Sequence, residues 1–314
     1  MYKKNTVAVV IPAYNEEKLL GRVITTMPDY VDKMVIIDDA SKDGTHDVAL
    51  NFQKKQPDRT IVIRHGENTG VGGSIADGYI WCRDNNMDMA AVMAGDAQMD
   101  PDDLVNLILP IYEDRADYTK GNRLFTGDAW QVIPRVRYLG NSVLSLMTKI
   151  ASGYWHISDS QCGYTVINKK ALQTIDWEKM YPKYGQPNDL LVRLNIYHFR
   201  VEDVPVKPVY RIGEKSGIRP LLIIPRMFWL LVRLFFFRLK EKYFIRDFHP
   251  LLFFYFTSFI LFLIDIPLII RFFVRWSRIG VIPDITALAI LFTTTTALQL
   301  SLFAMWFDMQ NTNR

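Results

Sequence analysis

The sequence predicts an α/β domain with a mostly parallel sheet, followed by interfacial helices and a two-helix membrane hairpin. Two observations carry this prediction. Short apolar runs alternate with helical patterns through the first two-thirds of the chain, which is typical of a parallel sheet covered on both faces. Two long apolar segments then follow, residues 249–270 and 285–307. Each has about the twenty residues that a helix needs to cross ~30 Å of hydrocarbon.

The predicted strands are runs rich in Val, Ile and Met that are bounded by turn residues. They lie at Val7–Ile11, Met34–Ile37, Thr60–Ile63 and Met89–Met93. Two further strands are predicted, one that ends at 120–123 and one at Phe199–Val206. Helical spacing is found at Glu16–Met27, Asp43–Lys54, Gly72–Asn85, Pro101–Tyr112, Tyr138–Ala151 and Leu190–Tyr197. In such a sheet, ligands bind at the carboxyl ends of the strands, near the point where the strand order reverses.

Composition and charge divide the 314-residue chain into three predicted parts. Residues 1–217 have an ordinary soluble mixture and form the folded domain, and residues 248–314 hold the two spans. Residues 218–247 mix apolar side chains with Arg and Lys, which predicts interfacial helices on lipid headgroups, with an ordinary packed helix pair as the alternative. These basic residues favour a cytoplasmic domain, because Lys- and Arg-rich flanks stay inside. The arginines of the hairpin loop weaken that inference without reversing it.

Three other features have simple expectations. The N-terminus has no signal-peptide pattern. Cys82 and Cys162 have no metal-binding spacing and are expected to be reduced thiols. Asp265 is the one charge inside the first apolar run; an ionisable group there is a functional candidate, but we expect it to reach Arg271 or water. No nucleic-acid partner is expected.

Three predicted strand ends carry carboxylates beside small residues. The first strand runs into the segment 12–16, the second into Asp38 and Asp39, and the fourth into Asp96 and Gln98. The carboxyl ends of parallel strands meet at one edge, where bare carboxylates are costly without a cation or hydrogen-bond donors. A divalent metal or a polar ligand such as a nucleoside is therefore the expected partner. Each motif alone has an alternative interpretation as a turn or a helix cap.

Two further segments suit phosphate groups. The glycine-rich stretch 68–74 opens a helix and can bring backbone N–H groups to an anion, although a tight turn is the alternative. Arg123, Arg135 and Arg137 supply guanidinium groups, which contact phosphate bidentately. A solvated face or a headgroup contact is the alternative for Arg135 and Arg137.

In combination, these motifs resemble the family-2 glycosyltransferases, inverting enzymes with the GT-A fold. The resemblance rests on the segments P-A-Y-N-E, D-D-A-S-K-D-G-T, D-A-Q-M-D-P and K-G-N-R and on the two-span tail. The chain is most similar to the polyprenyl-phosphate group, which includes dolichyl-phosphate mannose synthase and bacterial undecaprenyl-phosphate glucosyl- and mannosyltransferases. The implied reaction transfers a sugar from a UDP- or GDP-sugar to polyprenyl phosphate at the cytoplasmic face of the membrane, giving a polyprenyl-phosphate monosaccharide.

The resemblance also implies roles for individual residues. The nucleoside would contact Pro12, Tyr14, Glu16, Asp38 and Asp39. Mg²⁺ or Mn²⁺ and the donor diphosphate would bind Asp96 and Gln98. The acceptor phosphate would contact Arg123, Arg135, Arg137, Arg211 and Lys215. The sugar pocket would include Asp159, Gly163 and Tyr164. Ala94 replaces the first acid of the family's D-x-D pattern, which puts metal dependence in question.

Asp96, Arg123 and Asp189 form the expected catalytic set. A phosphate monoester is largely a dianion at neutral pH and needs no strong base, so Asp189 would orient the sugar, and would act as a base only for a hydroxyl acceptor. One alternative is therefore a glycosyltransferase acting on a sugar hydroxyl of a lipid-linked glycan or polysaccharide. The other is a non-catalytic, membrane-tethered nucleotide-sugar binder, which only Ala94 favours. The sequence leaves open the sugar, the base, the polyprenol and self-association.

Overall fold

The computed structural model describes residues 1–124, 135–207, 209 and 220–312, without the side chains of 135–141, 220–224 and 312. The chain forms two compact units, Met1–Phe235 and Phe236–Arg314. Arg211 and Lys215 lie outside the described residues, and so do the side chains of Arg135 and Arg137.

The N-terminal unit is built on a seven-stranded sheet with the order β3-β2-β1-β4-β6-β5-β7. Its strands are β1 (Val7–Ala13), β2 (Lys33–Asp38), β3 (Thr60–Arg64), β4 (Met89–Val92), β5 (Tyr118–Asn122), β6 (Thr165–Asn168) and β7 (Val201–Pro205). All neighbours pair in parallel except β6, which is antiparallel to both β4 and β5. The predicted mostly parallel sheet is confirmed, and β6 is an addition to it.

Seven helices lie between these strands in the described part of the sequence. They are α1 (Leu20–Thr25), α2 (Thr45–Lys55), α3 (Val71–Asp84), α4 (Leu104–Tyr112), α5 (Arg135–Ser152), α6 (Lys169–Thr174) and α7 (Gln186–Ile196). An eighth helix, α8 (Pro220–Arg238), follows β7. Short 3₁₀ turns precede α4 and α7, at Pro101–Asp103 and Trp177–Lys179. The helix predicted from Glu16 begins four residues later, at Leu20. The backbone N–H of Glu16 donates to the Thr45 hydroxyl at 2.7 Å.

Strand β1 shows why these segments read as unbroken apolar runs. Val7, Val9 and Ile11 pack into the core on one face of the sheet. Ala8 and Val10 pack into the core on the other face. Successive side chains of a strand alternate between faces, so a strand that is buried on both sides needs apolar residues throughout. Each Val or Ile buried in this way contributes roughly 1.5–3 kcal/mol.

The strand order reverses beside β1, which lies between β2 and β4. Ala13 is in register with Asp38 of β2. On the other side, the backbone N–H of Gly95 donates to the Pro12 carbonyl at 3.0 Å. The carboxyl ends of β1, β2 and β4 therefore meet at the switch point, where open α/β sheets bind ligands.

The C-terminal unit contains a π-helical segment, Leu239–Arg246, and two long helices, α9 (Leu251–Ile279) and α10 (Asp284–Thr312). Gly280 ends α9 with a φ of 71°, the left-handed conformation that glycine adopts readily. Both helices are long and apolar enough to cross a membrane, and only 11% of the most apolar stretch of each is buried. The predicted segments 249–270 and 285–307 fall almost entirely within them.

Two buried aspartates make polar contacts inside this unit. Asp265 of α9 accepts hydrogen bonds from the hydroxyls of Thr293 and Thr294 of α10, the latter at 2.8 Å. The protein partners of Asp265 are thus two hydroxyls of the neighbouring helix, in place of the expected Arg271. Asp308 of α10 accepts two hydrogen bonds from Arg238, at 2.8 and 2.7 Å.

Candidate functional site

Two polar loops meet at the carboxyl edge of β1 and β2. The N–H of Asn15 donates to the Ser41 hydroxyl at 3.0 Å, and the Asn15 side chain accepts from the N–H of Lys42 at 2.9 Å. The N–H of Gly44 donates to Glu17 at 3.1 Å. The segment after β1, which includes the predicted nucleoside residues Tyr14 and Glu16, is therefore held in place by the loop after β2.

Non-glycine residues adopt the left-handed backbone conformation at the ends of three adjacent strands. They are Asn15 after β1, Ala40 after β2 and Ala97 after β4, with φ of 57°, 57° and 56°. Asparagine tolerates this region, whereas alanine is strained there by roughly 1–2 kcal/mol per residue. The surrounding hydrogen bonds must outweigh this strain, which is typical of functional edges.

Asp38 is buried completely at the end of β2. Its Oδ1 accepts a hydrogen bond from the N–H of Ser41 at 3.0 Å. Its Oδ2 lies 3.3 Å from His46 Nδ1 and 3.4 Å from Arg64 Nε. Those two distances fall in the ion-pair range, but within the described residues Oδ2 has no partner of hydrogen-bond geometry.

Asp39 holds the glycine-rich segment. Its Oδ1 accepts from the N–H of Thr69 and from His65 Nδ1, each at 2.8 Å, and its Oδ2 accepts from the N–H of Gly70 at 2.8 Å. Burial alone would raise the pKa of Asp39, but the hydrogen bonds from His65, Thr69 and Gly70 outweigh it and hold the pKa below its usual value. The predicted contact of Asp38 or Asp39 with the nucleobase stays a prediction, and both carboxylates already have protein partners.

The glycine-rich segment also contacts the chain before α7. Gly70 has a φ of 95°, and a Cβ there would lie 2.7 Å from the Pro182 carbonyl oxygen. The N–H of Gly73 donates to that same oxygen at 2.9 Å. Backbone N–H groups at this helix start therefore serve the protein itself. This geometry favours the tight-turn interpretation of the segment over an anion site.

Asp189 holds the segment at Tyr181 and Pro182 that contacts the glycine-rich turn. Its Oδ2 accepts from the N–H of Tyr181 at 2.8 Å, and its Oδ1 accepts from Arg193 Nε at 3.0 Å. The side chain is buried in the first turn of α7. A carboxylate that is buried against a guanidinium and a backbone amide is poorly placed to remove a proton from a substrate.

Asp96 lies half-buried after β4 and accepts from the N–H of Gln98 at 3.1 Å. Burial, together with the negative charges of Asp96 and Asp43, raises the pKa of Glu16 to about 7. Negative charge thus accumulates at this edge. No cluster of three or more His, Cys, Asp or Glu side chains suited to a metal occurs in the described part of the chain. A divalent cation fits nonetheless, because Mg²⁺ commonly takes one or two carboxylates and fills its shell with phosphate oxygens and water.

Arg123 and Asp159 form a bidentate ion pair in which Asp159 is buried and Arg123 is partly exposed. Arg123 Nε and Nη2 donate to the two Asp159 oxygens at 2.7 and 3.0 Å, and the Arg123 N–H adds a third contact at 3.3 Å. Burial would raise the pKa of Asp159, but Arg123 and the buried Lys120 outweigh it and hold the pKa low. Asp159 is 1% exposed, so its predicted contact with the sugar has no support in this geometry.

The other predicted sugar-pocket residues have different surroundings. Tyr164 is buried in the core, where its hydroxyl donates to the Asp100 carbonyl at 2.9 Å. Gly163 precedes it, and a Cβ there would meet only Met99, at 3.4 Å. Pro12 lies inside β1, and Tyr14 is exposed beyond it. The structure therefore brings together Glu16, Asp38, Asp39 and Asp96 at one edge and places Asp159 and Asp189 in internal ion pairs.

Sequence reasoning missed three residues that organise this region. His65 is the partner of Asp39, Arg193 is the partner of Asp189, and Pro182 accepts from the glycine-rich turn. Only the Asp189–Arg193 pair carries a local signal, an acid and a base four residues apart on a helix. The other contacts join distant segments.

Comparison with known proteins identifies the family to which the chain is similar. A model described as glycosyl transferase family 2 matches residues 8–176, more than half of the chain. The chain is 28% identical over 214 residues to a UDP-N-acetylglucosamine–dolichyl-phosphate N-acetylglucosaminyltransferase of Methanococcus voltae, covering 64% of this chain and 85% of that protein. It is 29% identical over 216 residues to an undecaprenyl-phosphate mannosyltransferase of Micrococcus luteus, covering 67% and 86%.

A solved structure with a similar fold is glucosyl-3-phosphoglycerate synthase from Mycobacterium tuberculosis in complex with Mg²⁺ and uridine diphosphate. The TM-score is 0.54 at 18% identity, over 76% of this chain and 80% of that chain. At this identity the likeness concerns the fold alone, and it confirms the predicted GT-A architecture.

Proposed function

The chain belongs to glycosyl transferase family 2, and from this premise we propose that it transfers a sugar, with inversion, from a nucleoside-diphosphate sugar to a polyprenyl phosphate. The names of two similar proteins, from different organisms, describe sugar transfer to dolichyl or undecaprenyl phosphate. The donor edge, the partly exposed Arg123 and the two long apolar helices suit such a reaction between a polar donor and a lipid acceptor.

The hydrogen bonds of Asp189 are the observation on which we base the choice between a phosphate and a hydroxyl acceptor. Transfer to a sugar hydroxyl needs a general base, and Asp189 was the predicted candidate. Its two oxygens instead accept from Tyr181 and Arg193 in a buried site. A phosphate monoester has a second pKa of about 6 and is already nucleophilic at neutral pH. A site without an available base at this position therefore favours a phosphate acceptor over a hydroxyl.

The remaining demands on the protein are alignment and charge stabilisation. Glu16, Tyr14 and the loop after β2 would hold the nucleoside. Asp96 and Gln98 would hold Mg²⁺ or Mn²⁺ with the donor diphosphate, and that cation would neutralise the charge of the departing nucleoside diphosphate. Arg123, held by Asp159, would receive the acceptor phosphate, with Arg135, Arg137, Arg211 and Lys215 as further candidates.

The proposed organisation has residues 1–217 as catalytic domain, 218–247 as interfacial helices and 248–314 as a membrane hairpin, with the catalytic domain in the cytoplasm. Exposed aromatic side chains support interfacial contact in the middle part, among them Trp229, Phe236 and Phe244. The basic residues of the same part support the cytoplasmic orientation by the positive-inside rule.

The test is sugar transfer by the full chain in detergent, with a panel of labelled UDP- and GDP-sugars. Polyprenyl phosphate and a lipid-linked glycan with free hydroxyls are offered separately as acceptors, with Mg²⁺, Mn²⁺ or a chelator. We expect one donor to label polyprenyl phosphate and none to label the glycan. Label only in the glycan would overturn the phosphate acceptor, and donor binding without any transfer would favour a non-catalytic binder.

Asp96→Asn provides the matched site variant. It removes the metal-binding charge, so we expect turnover to fall by about 10²–10³-fold, the usual cost of losing one transition-state contact. Asp102→Asn is the control, because it makes the same chemical change at an exposed acid six positions along the chain. Equal turnover in the two variants would show that Asp96 does not contribute to the reaction.

A further inference from the structure

Lys120 is a fully buried lysine to which the proposed reaction gives no role. It lies on β5 and has no exposed surface. In the register of the sheet it stands opposite Asp203 of β7 on one side and opposite Thr165 of β6 on the other. A lysine is almost never buried completely unless its charge is compensated, because a bare ammonium is costly away from water. The groups around this lysine should therefore explain why it is there.

The loop of residues 158–162 is attached at both ends to this pair of strands. At its start, the N–H of Ser158 donates to Asp203 Oδ2 at 2.7 Å. At its end, the Cys162 carbonyl accepts a hydrogen bond from Lys120 Nζ. Lys120 thus holds one end of the loop, and its neighbour across the strands holds the other end.

Charges of both signs surround this loop. Burial would raise the pKa of Asp159, but the hydrogen bonds from Arg123 and the positive charges of Arg123 and Lys120 outweigh it and hold the pKa low. Burial raises the pKa of Asp203, in spite of the nearby Lys120 charge. Asp159 is therefore the acid that stays ionised here, and Lys120 helps Arg123 to keep it so.

An ionised Asp159 determines how the Arg123 side chain is held. Asp159 occupies the edge of the guanidinium that is formed by Nε and Nη2. A guanidinium has a second edge, formed by its two Nη groups, which can contact a phosphate bidentately. The Arg123 side chain is 20% exposed, whereas that of Asp159 is 1% exposed. Asp159 thus fixes the arginine from the inner side of the site.

We propose that Lys120 is a positioning residue for the acceptor phosphate, because it holds the 158–162 loop and the Asp159 carboxylate in the arrangement that directs the second edge of Arg123 to that phosphate. This role rests on the proposed phosphate acceptor. Lys120 itself is buried and acts through Asp159, without touching the substrate. Its loss should therefore weaken acceptor binding and leave donor binding unchanged, since the donor edge lies at β1, β2 and β4.

Lys120→Met is the first test, because methionine keeps a long unbranched side chain and removes the charge. The full chain in detergent transfers labelled sugar to polyprenyl phosphate, and KM is measured separately for donor and acceptor. We expect the acceptor KM to rise about tenfold, since a misdirected binding group is costly, while the donor KM stays the same. Lys169→Met is the control, because Lys169 forms a partly exposed ion pair with Asp88 at 3.6 Å. Both of its KM values should equal those of the wild type.

A pH profile shows whether Lys120 acts through Asp159. Removing Lys120 should raise the pKa of Asp159, because one of the positive charges that lower it is lost. As pH falls, Asp159 should be protonated earlier in the variant than in the wild type, and its hold on Arg123 should weaken. The acceptor phosphate, with a second pKa of about 6, titrates equally with both proteins. The ratio of variant to wild-type acceptor KM should therefore rise between about pH 8 and about pH 5, and a constant ratio would contradict this role.

A second variant separates positioning from folding. Lys120→Met alone leaves Asp203 without the cation opposite it, which destabilises the protein. Lys120→Met/Asp203→Asn removes both charges, and asparagine keeps an oxygen that accepts from Ser158. The unfolding midpoint should therefore return towards that of the wild type, while the raised acceptor KM persists. Recovery of the acceptor KM together with the midpoint would show that Lys120 has a structural role only.

The wild-type assay distinguishes this inference from the proposed function. If the wild type labels polyprenyl phosphate and Lys120→Met has the same acceptor KM, the role of Lys120 is overturned and the proposed function stands. If the wild type labels no polyprenyl phosphate with any donor, the proposed function is overturned, and the role of Lys120 with it.

Discussion

Asp159 in the N-terminal unit and Asp265 in the C-terminal unit are both buried carboxylates, yet their partners differ in kind. Asp159 faces the guanidinium of Arg123, with the buried Lys120 nearby. Asp265 faces the hydroxyls of Thr293 and Thr294. Burial is therefore a poor guide to what an acid does. The partner decides whether the side chain anchors a cation or joins two helices through neutral hydrogen bonds.

The difference has a direct energetic consequence. Removing one member of a buried ion pair leaves an uncompensated charge, whereas removing a hydroxyl contact loses one modest hydrogen bond. Substitutions at the two sites should thus differ severalfold in their effect on stability.

Arg123→Met should have the largest effect, because it leaves the Asp159 charge buried without its guanidinium. We expect the free energy of unfolding to fall by about 3–5 kcal/mol, measured by denaturant titration of the full chain in detergent with tryptophan fluorescence. The double variant Arg123→Met/Asp159→Leu should recover most of this loss, because an apolar pair can replace a buried ion pair at little cost. A double variant as unstable as the single one would contradict the ion-pair explanation.

Asp39→Asn should have an intermediate effect that depends on pH. The amide cannot accept at both positions now occupied by Thr69 and Gly70, so we expect a loss of about 1–3 kcal/mol at neutral pH. The folded-state pKa of Asp39 is depressed, so its charge adds stability above its unfolded pKa of about 3.9. That stability is lost as pH falls through the folded value. Wild type and variant should therefore converge in acid.

The control for Asp39 is Asp77→Asn. Asp77 lies 3.0 Å from the other nitrogen of His65, but its side chain is half exposed. Because Asp77 is half exposed, we expect this pair to contribute less than about 1 kcal/mol. A larger loss in the Asp77 variant than in the Asp39 variant would mean that His65, and not the glycine-rich turn, is the important partner.

Asp265→Asn should have the smallest effect, because an amide oxygen still accepts from a threonine hydroxyl. We expect a change below about 1 kcal/mol, whereas Asp265→Leu should lose both contacts at roughly 0.6 kcal/mol each. The change in stability is measured by hydrogen exchange of the α9 and α10 amides in nanodiscs. A severe loss in the asparagine variant would show that the charge of Asp265 has a role beyond these hydrogen bonds.

Elements with strong local patterns could be predicted from the sequence. The four runs rich in Val, Ile and Met became β1 to β4, and the segment Tyr138–Ala151 lies within α5. Strand β6 was missed, because Thr165–Asn168 is four residues long and adjoins a motif that was interpreted only as part of a pocket. Its antiparallel pairing with two neighbours depends on tertiary context and has no local signature.

The site could be located from sequence, but its contacts could not be assigned. The carboxylates of β1, β2 and β4 do meet at one edge, as parallel strands require. Asp159 and Arg123 are 36 positions apart, and Asp39 and His65 are 26 apart. Spacing rules reach only three or four residues along a helix, so a motif identifies an acid without revealing which side chain it faces.

The left-handed alanines at the ends of β2 and β4 have a consequence for protein engineering. Glycine at position 40 or 97 would adopt the same backbone angles without the steric penalty of a Cβ. A laboratory selection for heat resistance should therefore find these substitutions. Glycine would also widen the range of conformations open to the rim that we propose as the donor site, so the same variants should turn over more slowly. At these two positions, thermal tolerance and catalytic speed should be selected in opposite directions.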